Sequence, residues 1–107
     1  MTRRLAHTDV FFAIADPTRR KLLDRLGRGE QSVNALAAEF DVSLSAISQH
    51  LRLLREAGVV IVHRLGRERR YRLYARPLRK VWDWVEGYER FWKAKLDALG
   101  KHLEENP

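Results

Sequence analysis

The chain has 107 residues, 45% of them hydrophobic and a third charged, enough for one domain spanning residues 1–107 with a modest core and too few for two. It contains no cysteine, which excludes disulfides, thiolate metal sites and a cysteine nucleophile, and no apolar run approaches the ~18 residues of a membrane helix. Twenty-one basic residues against 14 acidic ones leave a net charge of +7, and its distribution points to a polyanionic partner. The N-terminal MTRRLAHTDVFF has neither a long apolar stretch nor a small-residue cleavage site, so a cytoplasmic protein without a signal peptide is expected. Thr8 or Asp9 can cap a first short helix carrying Val10, Phe11, Phe12, Ala13 and Ile14. Asp16-Pro17 reads as an N-cap followed by proline at the first helical position, where the missing N–H costs nothing. That second helix runs to about Leu26, buries Leu22, Leu23 and Leu26, and is stopped by Gly27 and Gly29.

Residues 32–60, SVNALAAEFDVSLSAISQHLRLLREAGVV, carry the strongest functional signal. Ser32 and Ser43 each offer a hydroxyl to cap a helix, although neither has Glu or Gln three residues on. In the third helix Val33, Leu36, Ala37 and Phe40 recur at i, i+3, i+4 and i+7, one apolar face. In the fourth, Leu44, Ile47, Leu51 and Leu54 make a similar face, while Ser45, Ser48, Gln49 and Arg52 fall on the other side. Two short amphipathic helices around a tight polar turn, the second lined with small hydrogen-bonding groups, suit a helix-turn-helix reading a DNA major groove. Gly58 stands where the end of that helix favours a left-handed residue.

From Val59 the period changes. VVIVHRL is β-branched, RRYRLYA alternates, and Gly66-Arg67-Glu68-Arg69 lies between them as the loop of a β-hairpin. Residues 64–80 hold eight basic side chains and one acid, so this segment carries a net +7 while the rest of the chain cancels. Alternation sets Tyr71 and Leu73 on one side of the hairpin and Arg70 and Arg72 on the other, so not every arginine can reach one ligand. Pro77 leads into a long helix, about Leu78 to Leu103, striped by Val81, Val85, Tyr88, Trp92, Leu96, Leu99 and Leu103 and widened by Trp84 and Phe91; Glu104 to Pro107 read as frayed. The fold class is mainly α with a small β-hairpin: four helices, the hairpin as a wing, and a fifth helix.

With these elements in this order, the chain resembles the ArsR (arsenic-repressor-like) family of small bacterial winged-helix transcription regulators. The likeness is carried by ADPTRRKLLDRL, SLSAISQHLRLLREAGVV and GRERRYRL, and covers nearly the whole length. It implies a homodimer whose first and last helices pack across a two-fold axis, here through Phe11, Phe12, Val85, Tyr88, Trp92, Leu96 and Leu99. It also implies that two recognition helices enter successive major grooves of an imperfect palindrome, normally at the protein's own operon, as a repressor. The groove-facing positions carried over are Ser43, Ser45, Ala46, Ser48, Gln49, His50 and Arg52, with Arg67, Arg69 and Arg70 of the wing on backbone or minor groove. Ser and Gln can bond base edges or phosphates, and Gln pairs well with adenine. His50 has a second reading, as a helix-face residue packed near the turn.

Many members of the family release DNA on binding a metal, and here the chain departs from the pattern. Ser32 and Asn34 stand where the arsenic- and cadmium-sensing type has Cys-x-Cys. At the ligand positions of the zinc-sensing type the best register gives Asp83, Val85, Leu96 and Leu99, one ligand in four. His102 with Glu105, or His7 with Asp9, supply at most half a site, short of the three or four ligands zinc generally takes. No metal and no cofactor are therefore expected. The apolar, mostly aromatic residues Trp82, Trp84, Val85, Tyr88, Phe91 and Trp92 instead raise the idea of a small hydrophobic effector held between the last helix and the first, beside their plainer reading as core and dimer seam. The partners expected are double-stranded DNA, a second copy of the chain and such an effector, with no membrane. A metal-responsive repressor and a winged-helix module that binds protein are the alternatives; an enzyme is not expected, since the four histidines form no nucleophile or metal constellation.

Overall fold

The computed structural model describes residues 9–105. Thr8 and His7, candidates for a cap and for half a metal site, lie outside the described residues. Asp9 caps α1, Val10–Ile14, by accepting the Phe12 N–H at 2.9 Å. Asp16 does the same for α2, Pro17–Leu26, accepting the Arg19 N–H at 3.0 Å with Pro17 in the first turn. That backbone N–H holds the Asp16 carboxyl below its ordinary range, against a smaller opposing effect of desolvation.

The arginines of the TRR triplet have a structural task that spacing alone does not disclose. A five-residue helix leaves most of its carbonyls without a partner of its own. Arg19 Nε donates to the Ala13 carbonyl at 2.7 Å and its terminal nitrogen to that of Phe12 at 3.0 Å, while Arg20 donates to Ile14 at 2.7 Å. The Arg19 side chain is nearly buried in doing so, and its guanidinium lies 5.3 Å from the centre of the Phe12 ring. α1 is thus closed by α2.

β1, Gln31–Ser32, runs directly into α3, Val33–Phe40, which Ser32 caps by accepting the Ala35 N–H at 3.2 Å. Asp41 ends α3 with φ 52°, a left-handed conformation that Asp tolerates better than most side chains. Ser43 caps α4, Leu44–Glu56, accepting from Ala46 at 3.1 Å. α4 closes in a Schellman motif: Val59 N–H bonds the Leu54 carbonyl, Gly58 N–H bonds that of Arg55, and Gly58 has φ +83°.

β2, Val60–Leu65, and β3, Glu68–Leu73, form the hairpin. Its loop is narrower than the sequence suggests: only Gly66, at φ +65°, and Arg67 lie outside the strands, and a single positive φ at the first loop position fits a type II′ turn. The sheet has three strands, ordered β1-β3-β2, because Gln31 and Ser32 pair with Tyr71 and Arg70. A two-residue strand has no period to detect. The core lies between the helices and the root of this sheet, with Leu22, Leu36, Ile47, Leu51, Leu54 and Val59 fully buried.

Three further expectations are corrected. Leu44, assigned to the apolar face of the fourth helix, is 49% exposed, because it is the first residue of α4 and precedes the turn that meets the core. The long last helix is divided: after a 3₁₀ turn at Arg76–Leu78 come α5, Arg79–Glu86, and α6, Glu89–Glu105. Between them Gly87 bonds back to the carbonyls of Asp83 and Trp84, and Tyr88 N–H turns three residues back to Val85 at 2.9 Å. Glycine is the weakest helix former after proline, and the α pattern yields at that point to tighter three-residue bonds. Glu104 and Glu105, expected to fray, close α6. Among the described residues no helix is long and apolar enough to cross a membrane.

Candidate nucleic-acid interface

The register of the hairpin sorts its charges. Val60, Val62 and Arg64 pair across with Leu73, Tyr71 and Arg69, so one face runs from apolar at the root to two facing arginines near the tip. The opposite face carries Ile61, His63 and Leu65 against Arg72, Arg70 and Glu68. Arg67 sits alone at the exposed tip.

Arg70 is not a free cation. Its Nε donates to Glu30 at 3.0 Å and a terminal nitrogen to Glu68 at 2.9 Å, and the second oxygen of Glu30 meets His63 Nε2 at 2.9 Å. Glu30, in the loop between α2 and β1, therefore ties both strands of the wing to the helical body. The hydrogen bond with His63 is the main reason the Glu30 carboxyl sits below its ordinary range, with Arg70 contributing less. Of the three wing arginines carried over from the family, Arg67 and Arg69 are exposed, while Arg70 is half-buried in this strap.

On α4, Ser45, Ser48, Gln49 and Arg52 are exposed along one side, and Ile47, Leu51 and Leu54 are buried on the other. Ser43 is exposed, but its hydroxyl serves the cap and lies 3.3 Å from that of Ser45. Ala46 is half-buried between the two sides. Arg52 bonds Glu56 at 3.2 Å. His50 departs from the outward stripe: it is half-buried, its Nδ1 is enclosed with no hydrogen-bond partner among the described residues, and it acts on the Asp16 carboxyl. The placement near the turn matches its second reading.

Between α4 and the wing lies a cleft of about 260 Å³, lined by Val33, Ser48, Arg52, Arg55, Arg69 and Tyr71. Arg55, Arg64 and Tyr71 were not among the sequence candidates; strand alternation, which puts Arg64, Arg69 and Tyr71 on one face, is the signal that could have found the latter two, whereas Arg55 of α4 has no such signal.

The seven residues carried over for a dimer seam are all exposed, from Phe11 at 38% to Leu96 at 64%. Phe11 packs edge-on against Trp84 at 5.9 Å, and Trp84 against Tyr88 at 5.6 Å, so α1 and the end of the chain form one apolar surface. Neither α5 nor α6 buries a single residue. Among the described residues no three His, Asp or Glu side chains gather as a metal site would require.

Known proteins share this arrangement. A helix-turn-helix domain model matches residues 14–63. The transcriptional repressor SdpR of Bacillus subtilis is 40% identical over 77 residues, covering 72% of this chain and 86% of SdpR. An ArsR-like transcriptional regulator from a Rhodococcus species superposes with a TM-score of 0.72 at 35% identity, covering 99% of this chain and 96% of that one. The homodimeric winged helix-turn-helix DNA-binding domain of a possible ArsR-family regulator from Mycobacterium bovis superposes with a TM-score of 0.64 at 26% identity, covering 82% of this chain and 81% of that one.

Proposed function

The chain belongs to the ArsR family of winged helix-turn-helix transcriptional regulators, and on that premise we propose that it is a homodimeric repressor binding an imperfect palindrome upstream of its own operon. One observation carries the DNA reading: the polar side of α4 and the arginine-rich face of the wing border the same cleft. In this reading Ser45, Ser48 and Gln49 meet base edges, Ser43 and Arg52 meet phosphate, and Ala46 lies against a thymine methyl. Arg67 and Arg69 grip the backbone. Arg70, bound by two carboxylates, holds the wing in place, and His50 supports α4 from behind.

Binding of the purified protein to its own upstream region, measured at two salt concentrations, tests the proposal. Affinity should fall steeply with salt, as counterions released by each neutralised phosphate require, and exceed that for random duplex. A salt-insensitive interaction, or none, would favour a protein-binding wing. A second reading concerns control. A surface groove of about 330 Å³ lined by Trp84, Val85, Tyr88 and Trp92 supports a small apolar effector that changes the spacing of the recognition helices through unequal affinity for two dimer states. A screen of apolar compounds by thermal shift, followed by DNA binding with each hit, tests it; no hit altering DNA affinity would argue against it.

A further inference from the structure

We propose that the cleft between α4 and β3 is a phosphate seat, in which Arg55 and Arg69 together hold a single DNA backbone phosphate. The inference rests on the DNA-binding reading and adds to it a residue, Arg55, and a defined ligand group. Three observations carry it.

The first is uncompensated charge. Arg64 and Arg69 stand directly opposite each other on adjacent strands, an arrangement of like charges that destabilises a sheet unless an anion relieves it. Among the described residues neither has an ion-pair partner, nor has Arg55, whereas Arg52 has Glu56 and Arg70 has Glu30 and Glu68. The second is shape. The cleft brings Arg55 and Arg52 from α4 to Arg69 from β3, with Ser48 beside them. Cations from two elements converging on a recess large enough for a phosphate group, rather than spread over a convex surface, suit a single tetrahedral anion. The third is Tyr71, which also lines the cleft. Most of the residue is buried, and its hydroxyl makes no hydrogen bond to another described residue, so a donor borders the recess.

The position explains why the occupant is a duplex phosphate. A helix in the major groove and a wing reaching toward the adjacent minor groove straddle the strand that separates the two grooves, and this cleft lies between them. A free phosphate group, inorganic or carried by a small molecule, has the same chemistry and is the competing source.

Two measurements on wild type, Arg55→Gln and Arg69→Gln separate the sources. In the first, single phosphates of the bound duplex are replaced in turn by uncharged methylphosphonate. Wild type should lose affinity at one particular phosphate per half-site, and both variants should become insensitive at that same position. Each variant should also bind all duplexes more weakly and lower the salt slope by about one. In the second, inorganic phosphate is titrated at constant ionic strength against chloride. Phosphate-specific stabilisation that both variants lose would assign the seat to a free phosphate group, even if wild type bound no duplex and the DNA reading itself failed. If the two arginines map to different phosphates, or both variants keep the wild-type methylphosphonate profile, and phosphate acts no differently from chloride, the seat does not exist.

Discussion

Gln49 is the residue on which sequence choice turns in this reading. It is exposed on the outward side of α4, two turns from the cap, with no side-chain partner among the described residues. Gln49→Ala should reduce discrimination between the cognate operator and random duplex by about 1–3 kcal/mol if the amide reads a base. Competition binding with both duplexes measures this, and equal losses on the two would make Gln49 a phosphate contact instead. Glu30 offers a different residue-scale test, because its carboxyl is held below the ordinary value by His63 and then by Arg70. A depressed carboxyl contributes stability that is present above its unfolded pKa and lost as pH falls through the folded one. The strap on the wing should therefore be intact at neutral pH and loosen only in acid. Thermal midpoints of wild type and Glu30→Gln, compared from pH 7 down to about pH 3, should differ at neutral pH and converge below the ordinary carboxylate range. A difference independent of pH would mean that the charge on Glu30 does not tie the wing.

At the scale of elements, the Schellman close of α4 is both legible and testable. Gly58 at φ +83° meets only the Pro77 side chain at 3.7 Å if a Cβ is added, so the penalty for Gly58→Ala is conformational rather than steric. It should lower stability by about 1–2 kcal/mol. Urea unfolding should show a reduced midpoint with the slope unchanged; an unaltered midpoint would mean that the turn tolerates another backbone conformation. Helices α1 to α4 were readable because caps and period agree: Asp9, Asp16, Ser32 and Ser43 each bond the backbone where a cap should. What escaped has physical causes. β1 is too short to show alternation and hides in the approach to a helix cap. The break at Gly87-Tyr88 was masked by an apolar stripe that continues on both sides of it, since a one-glycine interruption shifts the period too little to notice. In the interface, period placed Ser45, Ser48 and Gln49 correctly outward. It could not show that Arg70 is consumed by Glu30, forty residues away in sequence. Nor could it show that Arg55 faces Arg69 across a cleft, because both facts depend on how the wing folds back on α4.

At the scale of the whole molecule, the chain leaves a large apolar face uncovered. Its radius of gyration is 18.3 Å, against about 13 Å for a compact domain of this length. Its extents of 61 × 38 × 21 Å reflect an end of the chain that packs little against the rest. Trp92, Leu96 and Leu99 are all more than half exposed on α6, whose seventeen residues bury none. A contiguous apolar surface of this kind seldom faces water on a lone soluble domain, and together with Phe11, Trp84 and Tyr88 it is the patch we propose a second copy of the chain covers. Replacing Leu96 and Leu99 together by Glu sets like charges against each other across such a seam without touching the core around Leu22 and Leu51. The double variant should keep its helical circular dichroism and sediment at half the wild-type mass. Its affinity for the full operator should fall by roughly 10²–10⁴-fold, because each half-site must then be bound without the effective concentration that a linked partner provides. Binding to a single half-site at high protein concentration should survive, since α4 and the wing lie in the other part of the molecule. A variant that remained dimeric would move the seam away from α6 and leave the exposed aromatic face for the effector instead.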